Sequence, residues 1–313
     1  SVPIFELREV INFPSLSAKD GKLKVLDRQR DEAWVGGPGV GGWYFSTGNV
    51  GWLPDNQTVY FQSEKTGYSH LYTVNIKNGK VKTLTSGKFE VTDANLSKDK
   101  KSWYLRTNEV HPGVYHLYKM PLKGGKRTQI TTMTGFNDGT MSPDERHVAL
   151  LYSSTNTPPE LYLMPNQAGG KAVQVTDSRT KDFKKYNWIA PEVVTFKARD
   201  GAMVYARVYR PKNPVSKGKA AIFVHGAGYL QNAHKGWSTY DREYMFHNFL
   251  VRNGYTVLDM DYRGSRGYGR DWRTGIYRYM GGKDLTDHVD GAKFLTEKYD
   301  IDPNKIGIYG GSY

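Results

Sequence analysis

Cysteine is absent from all 313 residues, which excludes a disulfide framework, a thiolate zinc site and a thiol nucleophile. That absence does not fix the compartment, since disulfide-free chains occur on both sides of a membrane. No apolar run approaches the ~20 residues that a membrane-spanning helix needs. Ser1-Val-Pro-Ile-Phe-Glu6 has neither the charged segment nor the apolar core of a signal peptide, so such a peptide is expected to be lacking or already removed. Acids are in the minority, with 31 Asp+Glu against 44 Lys+Arg and a net charge of +13. A nucleic-acid surface would cluster that excess among aromatics. Here the basic residues are scattered in groups such as Lys98-Asp99-Lys100-Lys101 and Lys181-Asp182-Phe183-Lys184-Lys185, which are expected in solvated turns and strand edges. No nucleic-acid partner is expected. Aromatics are plentiful, with 23 Tyr, 12 Phe and 7 Trp, so the chain can bury a core rather than stay disordered. The length suits one large or two ordinary domains of roughly 100–200 residues.

The first half repeats. Turn triplets Leu53-Pro54-Asp55, Ser97-Lys98-Asp99 and Ser142-Pro143-Asp144 set their acids 44 and 45 residues apart. Each is followed by a β-rich run: Thr58-Val-Tyr-Phe-Gln62, Ser102-Trp-Tyr-Leu-Arg106 and His147-Val-Ala-Leu-Leu-Tyr152. A Leu-Tyr pair then recurs at 71–72, 117–118 and 161–162, and each unit closes on a Thr, at 85, 131 and 176. Short β-branched and aromatic elements, separated by Asn-Gly, Gly-Gly and Pro-Asp turns, predict four-stranded units of ~45 residues, the size of a β-propeller blade. Gly21-Lys-Leu-Lys-Val-Leu26 with Glu32-Ala-Trp-Val35 is expected to end an earlier blade, and Gly36 to Gly42 to form an irregular inter-blade loop. No Lys-Ser/Thr follows those glycines, so they make a poor phosphate cradle. Three units and a remnant fall short of the four to eight that close a ring, so the propeller is expected to be partial and truncated on its N-terminal side.

The period ends near Trp188. Residues 193–199 and 202–209 flank Asp200-Gly201, a hairpin signal. Ala220-Ala-Ile-Phe-Val224 is short and wholly apolar, as a strand buried on both faces should be, and runs into His225-Gly-Ala-Gly228. A helix is expected over about 240–252, a strand over 255–260, and then the loop Asp261-Tyr-Arg-Gly-Ser-Arg-Gly-Tyr-Gly269. In the helix expected over 284–299, Leu285, His288, Val289, Ala292, Leu295 and Tyr299 recur on one apolar face. Lys305-Ile-Gly-Ile-Tyr309 is again a buried-type strand. Strands alternating with helices predict a mostly parallel sheet covered on both faces.

That last strand leads into Gly310-Gly311-Ser312-Tyr313. A nucleophile elbow needs a strand, a sharp turn carrying Ser, and a following helix; a small residue two before Ser lets the backbone turn tightly enough to project the hydroxyl past the sheet edge. With Asp261 to Ser265, Gly267-Tyr-Gly269, the 282–293 stretch and Ile308 to Tyr313 in place, the chain resembles the prolyl oligopeptidase family of serine peptidases, most of all its dipeptidyl-peptidase IV branch. The resemblance implies a partial β-propeller over residues 1–187, made of its C-terminal blades, followed over 188–313 by the N-terminal part of an α/β-hydrolase domain that reaches the nucleophile elbow. It also implies cleavage of short peptides, often after a second-position Pro or Ala, with an acylaminoacyl-peptidase or oligopeptidase of the same family and a non-catalytic propeller scaffold as rivals. No cofactor or metal is implied, a homodimer is left open, and the periplasm or the cell exterior is favoured over the cytoplasm.

By the same resemblance Ser312 is the nucleophile, and Tyr313 supplies one oxyanion N–H and an aromatic wall for the residue before the scissile bond. The second donor is expected from the loop after the first central strand, where His225-Gly-Ala-Gly-Tyr229 departs from the Tyr-Ala-Gly-Pro-like string of the branch. His225, Gly226 and Ala227 are the candidates and Tyr229 can reach inward; a purely structural role is the alternative for His225. In this fold the triad runs Ser, Asp/Glu, His along the chain, whereas all eight His precede Ser312, so no catalytic Asp or His is assigned here. His288 is expected to be a core histidine and His111 to lie in a blade loop. Arg263 and Arg266 are expected to brace their loop against Asp259 or Asp261, with a substrate carboxylate as the alternative partner. Asp284, Asp287 and Asp290 are expected to face the helix dipole and solvent.

Overall fold

A computed structural model of the chain describes residues 10–41, 48–227 and 230–313. A hairpin of β1 (Val10–Leu16) and β2 (Leu23–Arg30) comes first. Three antiparallel four-stranded units follow at the sequence period. They are β3 (Val50–Trp52), β4 (Thr58–Ser63), β5 (His70–Asn75) and β6 (Val81–Thr83); β7 (Val91–Leu96), β8 (Ser102–His111), β9 (Val114–Pro121) and β10 (Thr128–Gln129); and β11 (Phe136–Met141), β12 (His147–Ser154), β13 (Thr157–Pro165) and β14 (Val173–Gln174). A single parallel bridge, Phe136 to Tyr115, joins the second unit to the third. These are blades of a partial β-propeller.

The sequence landmarks have physical jobs. In each first turn the Asp carboxylate takes a backbone N–H two residues on, from Gln57, Lys101 and Arg146. The residue after each Asp turns left-handed: Asn56, Lys100 and Glu145 have φ of 50°, 58° and 56°. Each closing Thr hydroxyl accepts the N–H of the repeated Leu: Thr85 from Leu71 at 2.9 Å, Thr131 from Leu117 at 3.0 Å and Thr176 from Leu161 at 2.9 Å. The same hydroxyl then donates to the residue before that Leu, which is His70, His116 or Glu160. Burial lowers the pKa of both histidines, and a neutral ring can accept such a bond.

Two expectations for this half change. Leu23–Arg30 is a strand, but 32–35 is not, because the Asp31 carboxylate takes the Ala33 N–H and turns the chain out of the sheet. Gly36–Gly41 is loop as expected, while Gly42 lies outside the described residues. Lys181–Lys185 forms the short helix α1 rather than a turn, started by Thr180, whose hydroxyl accepts the Phe183 N–H.

The second half contains β15 (Glu192–Lys197), β16 (Met203–Tyr209), β17 (Gly218–Val224), α2 (Asp241–Arg252), β18 (Tyr255–Asp261), α3 (Arg270–Arg273), α4 (Lys283–Tyr299) and β19 (Ile301–Gly310). Its sheet runs β15-β16-β18-β17-β19, parallel only among the last three. The sheet is thus mixed rather than mostly parallel, since the Asp200-Gly201 hairpin adds two antiparallel strands. Side chains alternate across β18. Val257 packs with Tyr244 and Val251 of α2, while Leu258 and Met260 pack with Leu295 and Tyr299 of α4, so both faces are covered. This is the opening portion of an α/β-hydrolase sheet.

Helix α4 is rotated from its expected face. Leu285 and Val289 are 54% and 51% exposed, whereas Asp284, Asp287, His288, Gly291, Leu295 and Tyr299 are buried. Gly291 suits the seating: a Cβ there would overlap the Met260 methyl and come 3.0 Å from Leu258 Cδ2, so a larger residue would require those side chains to move.

Candidate active site

Strand β19 pairs with β17 as far as Gly310 opposite Val224, and the Gly311 N–H closes on the Val224 carbonyl at 3.1 Å. A side chain at 310 would overlap that carbonyl oxygen and lie 2.7 Å from Val224 Cβ, so the strand can end this tightly only on glycine. Ser312 follows with φ of 63°, left-handed for an L-residue, and it is exposed. Such backbone is what an elbow imposes on its serine. Tyr313 is half-exposed, and its ring centroid lies 5.9 Å from that of the buried Tyr262, edge to face.

The segment after β17 reaches the same sheet edge one strand away. His225 is fully buried and stacks on Tyr262 at 4.8 Å. Its Nδ1 is 2.9 Å from the Gly226 carbonyl and its Nε2 is 3.1 Å from Asp261 Oδ1. Burial alone would lower the pKa of His225, but the Asp261 hydrogen bond and charge outweigh it and raise the value. The Gly226 N–H donates to the Tyr240 hydroxyl at 3.1 Å. Ala227 stands partly buried beside the core, and Tyr229 lies outside the described residues.

Beneath these groups is a polar network that sequence reasoning did not assign. Asp261 accepts the N–H groups of Asn232 and Ala233 at 2.6 and 3.0 Å and the Tyr268 hydroxyl at 2.6 Å. Asp259 takes the Asn232 side-chain amide, and burial raises its pKa to about 6. Two acids inside the apolar run Val-Leu-Asp-Met-Asp were the available signal, because carboxylates enter a buried strand only with donors waiting.

The arginines and helix acids are arranged differently from expectation. Arg263 forks onto Asp287, its Nε 2.9 Å from Oδ2, and also pairs with Asp200, so its partners are not Asp259 and Asp261. Asp287 is therefore buried, Asp284 takes the Gly281 N–H, and Asp290 pairs with Arg199, none of which leaves an acid to solvent alone. Arg266 is exposed and pairs with no carboxylate among the described residues. His288 packs as a core histidine, its Nδ1 2.7 Å from the Asp284 carbonyl. His111 lies at the β8–β9 turn and faces Tyr205 across 5.7 Å.

The loops bearing this network are also tied to the blades. Arg273 and Glu64 form a two-pronged, buried ion pair, both contacts at 2.8 Å. Buried Glu90 accepts the N–H groups of Ser69 and Gly269, Asn108 donates to the Gly267 carbonyl, and the Tyr115 hydroxyl donates to Gln231. Among the described residues no three His, Asp or Glu side chains gather as a metal site requires.

Comparison with known proteins agrees on both halves. Residues 15–159 match the dipeptidyl peptidase IV N-terminal region and residues 242–313 match the prolyl oligopeptidase family. An uncharacterized peptidase of Bacillus subtilis is 28% identical over 223 residues, covering 69% of this chain and 32% of its own length. Dipeptidyl peptidase 4 of Trichophyton equinum is 24% identical, covering 96% of this chain and 39% of the relative. Human dipeptidyl peptidase 8 is 26% identical, covering 81% and 32%. The crystal structure of Porphyromonas gingivalis dipeptidyl peptidase 4 superposes with a TM-score of 0.80 at 21% identity, over 97% of this chain and 42% of that one, and so shares the fold. The chain spans about two fifths or less of the length of these relatives.

Proposed function

Since the chain belongs to the prolyl oligopeptidase family of serine peptidases, on its dipeptidyl-peptidase IV side, we propose that it carries the nucleophile and oxyanion site of a peptidase that releases Xaa-Pro or Xaa-Ala dipeptides from peptide N-termini. Residues 1–187 are assigned to the blades that filter access and residues 188–313 to the catalytic domain. The observation that carries the reading is Ser312, held left-handed and exposed at the end of a parallel strand whose last glycine is wedged on Val224.

Ser312 Oγ attacks the carbonyl of the second substrate residue, forms an ester to the dipeptide and expels the remaining peptide as an amine. In the order this fold uses, the base that takes the hydroxyl proton and the acid behind it come after the nucleophile along the chain, so no residue preceding Ser312 is assigned to either role. The Tyr313 N–H is one oxyanion donor, and its ring walls the pocket for a flat prolyl side chain. For the second donor the loop offers three groups. Both ring nitrogens of His225 face Gly226 and Asp261, and the Gly226 N–H faces Tyr240, which leaves the Ala227 N–H for the oxyanion.

An acylaminoacyl-peptidase or oligopeptidase is the second reading, favoured by the His225-Gly226 pair where the dipeptidyl branch has Tyr. In the full-length protein, a fluorophosphonate is expected to label Ser312 and not a Ser312→Ala variant; absence of labelling refutes both enzyme readings and favours a scaffold. Gly-Pro and acetyl-Ala chromogenic substrates separate the two peptidases, and preference for the blocked substrate overturns the dipeptidyl assignment. The 313-residue chain alone is expected to turn over neither.

A further inference from the structure

The hydrogen bonds of His225 specify more than its burial does. Nδ1 faces the Gly226 carbonyl, an acceptor with no proton to give, so Nδ1 must carry a hydrogen. Nε2 faces Asp261 Oδ1, and the other partners of that carboxylate are all donors: two backbone N–H groups and the Tyr268 hydroxyl. Asp261 therefore acts as an acceptor here as well, and Nε2 must also carry a hydrogen. Ser265 Oγ, 3.3 Å from Nε2, can share that hydrogen. A neutral ring would point a lone pair at either the carbonyl or the carboxylate.

We propose that His225 is a buried imidazolium that positions the oxyanion loop, one N–H anchored on Asp261 and the other fixing the Gly226 carbonyl. In a trans peptide the carbonyl and the following N–H point opposite ways, so fixing the Gly226 oxygen aims the Ala227 N–H. The peptide before it is pinned at both ends, its carbonyl by the Tyr262 hydroxyl and its N–H by Tyr240. Loss of one proton from His225 would free the second peptide only. His225 is thus a positioning residue with a proton-dependent grip, and this role rests on the oxyanion assignment made above.

The titratable groups around the ring agree with a cation. Asp261 and Asp259 of β18 both favour the charged form. Tyr262 and Ser265 come from the loop after β18. His288 of α4 and His234 of the 231–236 loop both have pKa values lowered chiefly by burial, and so leave the positive charge to His225.

The test uses the full-length protein. Exchange of the histidine Cε1 hydrogen, followed by mass spectrometry, reads the titration of His225 in the wild type. A midpoint above the ordinary value of about 6.5 is expected, and a midpoint at or below it overturns the proposal. The rate of Ser312 labelling by a fluorophosphonate, measured against pH, reads the function. It should fall at alkaline pH with the same midpoint. His225→Gln, which offers one neutral donor, should label at least tenfold more slowly and lose that alkaline limb. Its kcat on a Gly-Pro substrate should fall with KM little changed. Asp261→Asn should move the midpoint downward in both readouts. A His225→Gln profile that superimposes on the wild type refutes the positioning role. Failure of wild-type Ser312 to label refutes the peptidase reading instead, while the exchange midpoint still decides the charge on His225. Should either variant fail to fold, that wild-type midpoint decides alone.

Discussion

Replacing Glu90 with Gln should abolish a pH dependence of stability at the junction between the blades and the hydrolase sheet, leaving the variant less stable than the wild type at low pH and more stable at high pH. Glu90 is buried just before β7, and its carboxyl accepts the Ser69 N–H at 2.6 Å from the first blade and the Gly269 N–H at 3.1 Å from the loop after β18. Burial is the main force on it, and nearby Glu64 adds to the effect; together they outweigh the N–H donors and Arg273, raising its pKa from 4.5 to about 7. The folded state therefore holds this proton more tightly than the unfolded state does. Below about pH 4.5 both states are protonated and the contribution of Glu90 is fully present. As pH rises towards 7 the unfolded chain has already released its proton and the folded chain has not, so stability falls by about 1.4 kcal/mol per pH unit and then levels off. The interval from 4.5 to about 7 corresponds to about 3 kcal/mol in all. Glu90→Gln abolishes that slope but presents an amide to one of the two N–H donors, at a cost of about 1 kcal/mol. The variant should be about 1 kcal/mol less stable than the wild type at pH 4.5 and about 2 kcal/mol more stable at pH 8. Urea unfolding of the full-length proteins, followed by tryptophan fluorescence at several pH values, measures this. The difference between the two isolates Glu90 from His70 and His116, whose lowered pKa values act in the opposite sense. Parallel pH profiles would refute the reasoning.

Arg273→Ala leaves Glu64 buried without its cation and should destabilise by about 3–5 kcal/mol in the same assay, whereas Arg273→Met with Glu64→Gln should recover much of that loss. Thr131→Val removes a hydroxyl that serves both the buried Leu117 N–H and His116 Nδ1, and should cost about 2 kcal/mol while leaving the rate of Ser312 labelling unchanged. Gly310→Ala places a methyl against the Val224 carbonyl and should cut Ser312 labelling by a fluorophosphonate more than tenfold; a rate equal to wild type would show that the elbow does not need this contact.

What could be foreseen from sequence follows a physical division. Period-2 and ~45-residue signals come from residues whose partners are near in sequence or repeat in phase, so the blade strands, the turn acids and the closing Thr were all visible. The strand and glycine before Ser312 are legible in Lys305 to Gly310, but the strand is largely exposed rather than buried, with Ile308 63% exposed. The stripe on α4 was misplaced because periodicity counts Leu285 and Val289 as core, while the burial of Asp284 and Asp287 depends on donors 3 to 24 residues away. The acids nearest to Arg263 in sequence are Asp261 and Asp259, but its position just past the end of β18 turns it to Asp287 and Asp200. The blade-to-sheet contacts were invisible for a similar reason: Glu64 and Arg273 meet across 209 positions, and no local pattern encodes such a pairing.

Those same long-range contacts explain why the loop after β17 holds its shape although little secondary structure supports it. From the blades, Glu90 takes the Gly269 N–H. The neighbouring Tyr268 donates its hydroxyl to Asp261, Asp261 takes His225 Nε2, and His225 Nδ1 holds the Gly226 carbonyl. Tyr268 also stacks on Tyr205 of β16, so this link is packed as well as hydrogen-bonded. A second route runs from Pro112 and Tyr115 of the second blade to Gln231, next to Asn232, whose N–H donates to Asp261. Both routes converge on one carboxylate at the end of β18. Asp261 therefore sets the position of the loop relative to both the blades and the sheet, with Ser312 tied to the same sheet through the Gly311 N–H on the Val224 carbonyl. Ser312, the proposed nucleophile, is placed by a strand, and the loop proposed to carry the oxyanion donor by a polar network. Substitutions in the blades that disturb Gly269 or Gln231 should thus reach the chemistry through Asp261 rather than through the elbow.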